Sequence, residues 1–293
     1  MQKNILRFLC AATLAFTACK SSTNDGAGTA ARLTDSTRIV SLSGTTTEAL
    51  SALGLESNIV GVDVTSTFPE SVQKLPKVGH NRNMNAEAIL ALRPQYVVGI
   101  EAQLKPDLLT QLRGAGTQVM VFPLTYSVAG AQQLVSAVAD SFGASEKAAA
   151  INNNIAADAQ KAPALSGKPK VLFIYARGAG TMMVAGDNTP MKAMIELAGA
   201  QNAATGFEEF KPLTSEGMVA SNPDVILLFD DGLQSLGGID GLLAVPGVAQ
   251  TTAGRNKAVI EMDGQLLTGF GPRTGQALSE LATKINTAVA SKN

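Results

Sequence analysis

Short apolar runs alternate with longer stretches whose apolar positions recur every three or four residues, and the alternation begins at Arg38. "RIVSL" reads as a strand. "SGTTTEALSALG" reads as a loop opening a helix that stops at Gly54. "NIVGVD" is a second strand, and "MNAEAILALRP" is a helix ended by Pro94. "QYVVGI" is a third strand, "LKPDLLTQLRGAG" a helix with a glycine stop, and "QVMVFP" a fourth strand. Such alternation predicts an α/β unit with a mainly parallel sheet. Two Ala-rich helical patterns follow without a strand between them, "SVAGAQQLVSAVADSFG" and "SEKAAAINNNIAADAQKAPAL". A second α/β run starts at "KPKVLFIYA", continues through "MKAMIELAGA", "MVASNPDVILLF" and "AVIEMD", and ends in the helix "GQALSELATKINTAVA". The architecture this predicts is two α/β lobes, residues 37–126 and 167–293, joined across 127–166 by a single long α-helix.

One internal similarity stands out. "NAEAILALRPQYVVGI" and "TSEGMVASNPDVILLF" align without a gap, so that Asn85, Glu87 and Pro94 match Thr214, Glu216 and Pro223. Each lobe therefore presents one glutamate in the first turn of an equivalent helix. A carboxylate at the positive end of a helix contributes a few tenths to about 1 kcal/mol, which accounts for either glutamate alone. The matched pair points further, to two carboxylates related by a pseudo-two-fold that grip a basic partner.

With 24 acidic and 23 basic residues the net charge is −1, and no basic tract appears, so nucleic acid is not an expected partner. Aromatic residues make up 4% of the chain and tryptophan is missing, which argues against a carbohydrate or base-stacking platform. Residues 1–18 read as an export signal: Lys3 and Arg7, then the apolar "FLCAATLAFTAC", too short to span a bilayer. Thr17 and Ala18 before Cys19 resemble a bacterial lipoprotein cleavage site, which makes Cys19 the expected lipidation site; an ordinary signal peptide cut a few residues later is the alternative. Residues 19–36 read as a flexible tether, and the location expected is the periplasm, held at a membrane surface by the lipid. Cys10 leaves with the signal, so the mature chain has no disulfide and no cysteine metal site.

Catalytic motifs are missing: no G-x-S-x-G elbow, no P-loop, no dinucleotide G-x-G-x-x-G after a strand and no H-E-x-x-H. His80 is the only histidine, so a three-histidine metal site cannot be built, and a triad would need His80 as its base. An enzyme is not expected. His80 sits in "KVGHNRN", a Gly-containing turn ahead of a helix. By itself it reads either as a structural or solvated histidine or as a metal ligand.

"RIVSLSGTTTEALSALG", "GVDVTSTFPESVQKLPKVG" and "VPGVAQTTAGRNKAVIEMDGQLLTGFGPRT" resemble the haem-binding periplasmic proteins of bacterial ABC importers. These belong to a wider group of helix-linked substrate-binding proteins that also carries siderophores and cobalamin. The resemblance spans about residues 37–285, and its "GRN…MDG…GFGPR" segment is the part more specific to the haem branch. It implies two Rossmann-like lobes with a ligand cleft between them, a stiff helix as spine, and a monomer that hands haem b to a membrane permease driven by its ATPase. Glu87 and Glu216 fall where family members meet arginines of the permease.

His80 falls where the haem branch places an axial iron ligand, often tyrosine. Imidazole is a common ligand to haem iron. Arginine suits the haem propionates; the candidates are Arg82, Arg177, Arg255 and Arg273. Arg177 falls where some family members carry a second-lobe ligand and is expected to face the cleft as a hydrogen-bond donor. Tyr175 is either a competing iron ligand or a core residue of its strand, and Met182, Met183 and Met262 either cover the porphyrin or fill the core. The alternatives of the same fold are a siderophore receptor and a cobalamin receptor with His80 on cobalt. A periplasmic enzyme on this scaffold is a more distant one.

Overall fold

The computed structural model describes residues 33–80 and 83–290. The signal segment, Cys19, most of the tether and Arg82 lie outside the described residues.

The first lobe is built on β1 (Ile39–Ser41), α1 (Gly44–Ala52), β2 (Ile59–Val62), α2 (Ala86–Ala91), β3 (Tyr96–Ile100), α3 (Pro106–Gly114) and β4 (Gln118–Phe122). Its four strands are parallel in the order β2-β1-β3-β4. Successive strand residues point to opposite faces. Ile39, Tyr96, Val98 and Ile100 accordingly enter one core, and Val40 and Val97 enter another, where they meet Ile89, Leu108 and Leu112. Burial on both faces is why these strands read as continuous apolar runs.

Two helices follow, α4 (Val128–Ser141) and α5 (Ser145–Gln160). Leu134, Val135, Val138 and Ala139 of α4 are buried in the first-lobe core. α5, of 16 residues, spans about 24 Å. It places Ala148 and Ile155 in the first core, and it packs along the last helix of the chain.

The second lobe comprises β5 (Lys170–Ala176), β6 (Met182–Ala185), α6 (Pro190–Leu197), β7 (Gln201–Asn202), β8 (Phe210–Pro212), α7 (Ser215–Ser221), β9 (Val225–Phe229), α8 (Asp230–Ser235), α9 (Gly238–Leu243), α10 (Thr252–Arg255), β10 (Val259–Met262), α11 (Gly264–Thr268) and α12 (Thr274–Ala290). Its six-stranded sheet runs β10-β9-β5-β6-β8, with β7 beside β5. The strands β10, β9, β5 and β7 are parallel, whereas β6 and β8 are antiparallel additions. The apolar pattern did not reveal β6, because a tight hairpin at "RGAGT" hides its start. Gly178 there has φ +67°, and the Arg177 N–H bonds the Thr181 carbonyl at 2.9 Å. At Gly275 of α12 a Cβ would stand 2.2 Å from the Ile155 carbonyl oxygen, so glycine is what lets α12 close onto α5.

Candidate functional site

The carboxyl ends of the parallel strands in both sheets converge on one cleft of about 570 Å³. Crevices outside the carboxyl ends of parallel strands are where open α/β sheets bind ligands. The first lobe contributes Ser43 and the start of α1 (Gly44, Thr45), the loop after β2 (Val64, Thr65, Thr67), Gln103 after β3, and His80. From the second lobe come Tyr175 and Arg177 at the end of β5, Phe229 at the end of β9 with Asp230 and Asp231 after it, and Asp263, Gly264, Gln265, Thr268 and Gly269 after β10. A second cavity, of about 520 Å³, lies within the second lobe against α7 and shares no residue with the cleft.

His80 is carried by a short extended segment pinned beside β2. Val62 N–H bonds the Pro76 carbonyl (3.0 Å), Val78 N–H the Val62 carbonyl (3.0 Å), and Val64 N–H the Gly79 carbonyl (3.0 Å). Gly79 takes φ +114°, and a Cβ there would lie 3.0 Å from the Asn83 carbonyl oxygen, so the turn that carries His80 requires glycine. The His80 carbonyl then accepts from Asn83 N–H at 2.7 Å.

On the opposite wall Tyr175 is half-buried. Its ring packs edge-on to Phe229 at 6.3 Å, and its hydroxyl accepts a hydrogen bond from Arg177 Nε at 3.1 Å. It packs against the second core and lines the cleft. Arg177 pairs with Asp231 at 2.6 Å, and these two bonds hold its guanidinium above its ordinary pKa, the Tyr175 bond most.

The other haem-pocket candidates lie elsewhere. Arg273 does not line the cleft: it is bound to Glu48 and stacked over the Phe68 ring, 3.7 Å from its centroid. Arg255, at the end of α10, bonds the Gln250 carbonyl and the Thr252 hydroxyl of its own lobe. Met262 is buried at the end of β10, and Met182 and Met183 lie in β6, with Met182 against the second core. Met262 and Met182 help fill the second core, whereas Met183, half-buried, lies on the opposite face of β6. Arg82 lies outside the described residues.

The base of the cleft holds residues that sequence reasoning passed over. Gln265 Oε1 accepts from Thr67 N–H (2.6 Å) and Phe68 N–H (3.0 Å), while its Nε2 donates to Glu48 Oε1 (2.6 Å) and the Gly44 carbonyl (3.1 Å). Thr45 Oγ1 donates across the same boundary to the Gly269 carbonyl at 2.6 Å. Glu48 is buried, and desolvation raises its pKa despite the opposing pull of Arg273 and Gln265. The available signal was a lone glutamate among the small and apolar residues of "TTTEALSALG", where burial of the carboxylate demands a partner.

The duplicated glutamates sit on matching elements. Asn85 caps α2 by accepting from Glu87 N–H (2.7 Å), and Thr214 caps α7 by accepting from Gly217 N–H (3.0 Å). Both helices end on a left-handed residue, Arg93 (φ +47°) and Asn222 (φ +36°), before the proline and a central strand. Ile89 and Met218 are fully buried on the inner faces, while Glu87 and Glu216 are exposed. Among the described residues no three of His, Cys, Asp or Glu converge as metal ligands, and no helix is long and apolar enough to cross a membrane.

Residues 39–266 match the family of periplasmic binding proteins. Among solved structures the chain is similar to the periplasmic heme-binding protein RhuT from Roseiflexus sp. RS-1 in apo form, at 43% identity and a TM-score of 0.82, over 87% of this chain and 99% of that one. It is also similar to the periplasmic heme-binding protein BhuT in complex with two hemes, at 35% identity and a TM-score of 0.80, over 86% of this chain and 98% of that one. An uncharacterized ABC transporter substrate-binding lipoprotein of Bacillus subtilis, YvrC, is 29% identical over 85% of this chain and 79% of its own length. The vitamin B12-binding protein of Yersinia pestis is 37% identical over 90 residues, 31% of this chain and 30% of its own. The chain belongs to the periplasmic binding protein family.

Proposed function

We propose that this periplasmic binding protein captures haem b in the cleft between its lobes and delivers it to the permease of an ABC importer. The observation that carries the reading is that an imidazole, His80, and a phenol, Tyr175, line the same cleft from opposite lobes. Both are side chains that ligate haem iron. The cleft volume falls within the roughly 300–1,000 Å³ range of small-molecule sites. Similarity to two heme-binding proteins along nearly their whole lengths supports the same ligand class.

In this reading His80 is the axial ligand from the first lobe and Tyr175 the ligand facing it from the second. Arg177, donating to the Tyr175 oxygen, holds that oxygen in place at the cleft wall. Glu87 and Glu216 dock the loaded protein on the permease, and a lipid on Cys19 holds a monomer at the membrane surface in the periplasm. The chain binds and delivers; it does not catalyse.

The partial match to a vitamin B12-binding protein supports a second reading, cobalamin with His80 on cobalt. Titrating the purified protein with haem and, separately, with cobalamin distinguishes them by absorption. Saturable change with haem alone supports haem delivery. Saturable change with cobalamin alone replaces it.

A further inference from the structure

We propose that Asp231 is a positioning residue for the second-lobe ligand: it holds Arg177 so that the Arg177 Nε–H meets the Tyr175 oxygen, and through that contact it sets how readily Tyr175 binds iron. The inference rests on the reading of Tyr175 as an iron ligand.

Residues i and i+2 of a strand share a face. Tyr175 and Arg177 therefore leave the end of β5 on the same side, towards the cleft. The tyrosine ring is fixed by its packing on Phe229. The arginine is less well fixed: its guanidinium lies over the Tyr175 ring, 5.6 Å from the centroid, but its side chain is 55% exposed, and a long side chain there samples solvent unless something more holds it. Asp231 supplies the hold, accepting from Arg177 Nη1 at 2.6 Å. The guanidinium is a rigid plane, so fixing one nitrogen restricts where Nε points.

The helix α8 grips the same turn a second time. Ser235, one helical turn beyond Asp231, accepts from the Gly178 backbone N–H at 2.9 Å, and its own hydroxyl donates to the Gly232 carbonyl at 2.7 Å. Gly232 lies against β5, where a Cβ would stand 3.4 Å from the Ala176 carbonyl oxygen. One face of α8 thus fixes both the Arg177 side chain and the backbone that follows it. In open water such an exposed pair contributes little. A flat ligand seated in the cleft displaces that water and strengthens the bonds.

When Tyr175 ligates ferric iron, an Fe–O bond forms and the phenol proton leaves to solvent; no electron is transferred. Arg177 stabilises the resulting phenolate. The Asp231 carboxylate itself opposes it by charge, as do Asp230 and Asp263 on the same wall, with His80 facing them from the first lobe. Positioning and charge therefore predict opposite outcomes, and an experiment can separate them.

The test is a haem titration of the whole protein, read at the phenolate-to-iron charge-transfer band and as haem affinity. Asp231→Ala is expected to shift the band in the same direction as Arg177→Ala. It should also weaken haem roughly tenfold, the low end of what outer-shell partners contribute to metal affinity. Added to Arg177→Ala it should change neither quantity further, because it acts through that residue. Asp231→Asn, which keeps an acceptor for Nη1, should restore most of both. Effects that add in the double variant, or an unchanged or tighter haem affinity in Asp231→Ala, overturn the proposal. Tyr175→Phe with an unchanged wild-type spectrum would instead reject Tyr175 as a ligand, a failure of the underlying reading that is told apart from failure of Asp231.

Discussion

Glu48 of the first lobe and Arg273 of the second form a two-point ion pair at the base of the cleft, with Arg273 Nε to Glu48 Oε2 at 2.9 Å and a shorter bond from Nη2 to Oε1. Glu48 is 5% exposed and Arg273 19%. Gln265 donates to the same carboxylate, so its oxygens are satisfied by the opposite lobe. Removing one partner of such a pair leaves the other charge buried, which costs about 3–5 kcal/mol. Glu48→Ala should destabilise the protein by that order in denaturant unfolding, and Glu48→Gln by less, because an acceptor for Arg273 remains.

The same carboxyl gives a pH dependence with a defined sign. Burial raises the folded-state pKa of Glu48 above its usual 4.5. The folded chain then holds a proton that the unfolded chain has released, so its contribution to stability falls as pH rises from about that value through the raised one. Unfolding measured across this window should show the slope in the wild type and its loss in Glu48→Gln.

The seam between α5 and α12 predicts a steric effect. Gly275→Val places a branched side chain against the Ile155 carbonyl, which a Cβ would already approach to 2.2 Å. Overpacking of a well-filled interior costs about 1–3 kcal/mol. Thermal unfolding should report at least that loss, whereas Gly167→Ala, at a φ of +75° with no atom within 4 Å of the added Cβ, should show only the smaller penalty of a left-handed alanine.

The docking proposal concerns charge alone. Reversing Glu87 and Glu216 to Lys alters two exposed side chains outside the cleft lining. Uptake by the assembled transporter should be lost with haem affinity unchanged. Uptake that survives the double reversal would remove docking from these residues.

Much of this organisation was legible because it follows from local periodicity. The four strands of the first lobe are apolar runs bounded by caps and glycine stops, and the equivalence of α2 and α7 was readable from Asn85, Glu87 and Pro94 against Thr214, Glu216 and Pro223. The antiparallel strand at Met182 was not legible, since its pairing depends on a hairpin whose glycines read as loop. The tie of Arg273 to the first lobe was not legible for a related reason. A charged residue in a glycine turn gives no sign of its partner, and here the partner, Glu48, lies 225 residues earlier in the chain. Contacts between lobes leave no periodic trace.

The most direct test of the central claim is the absorption spectrum of the ferric haem complex in the wild type and in His80→Ala. Saturable binding with an imidazole-type spectrum that the substitution abolishes or shifts is the predicted result. An identical spectrum and affinity in the two proteins would contradict it, by taking His80 off the iron.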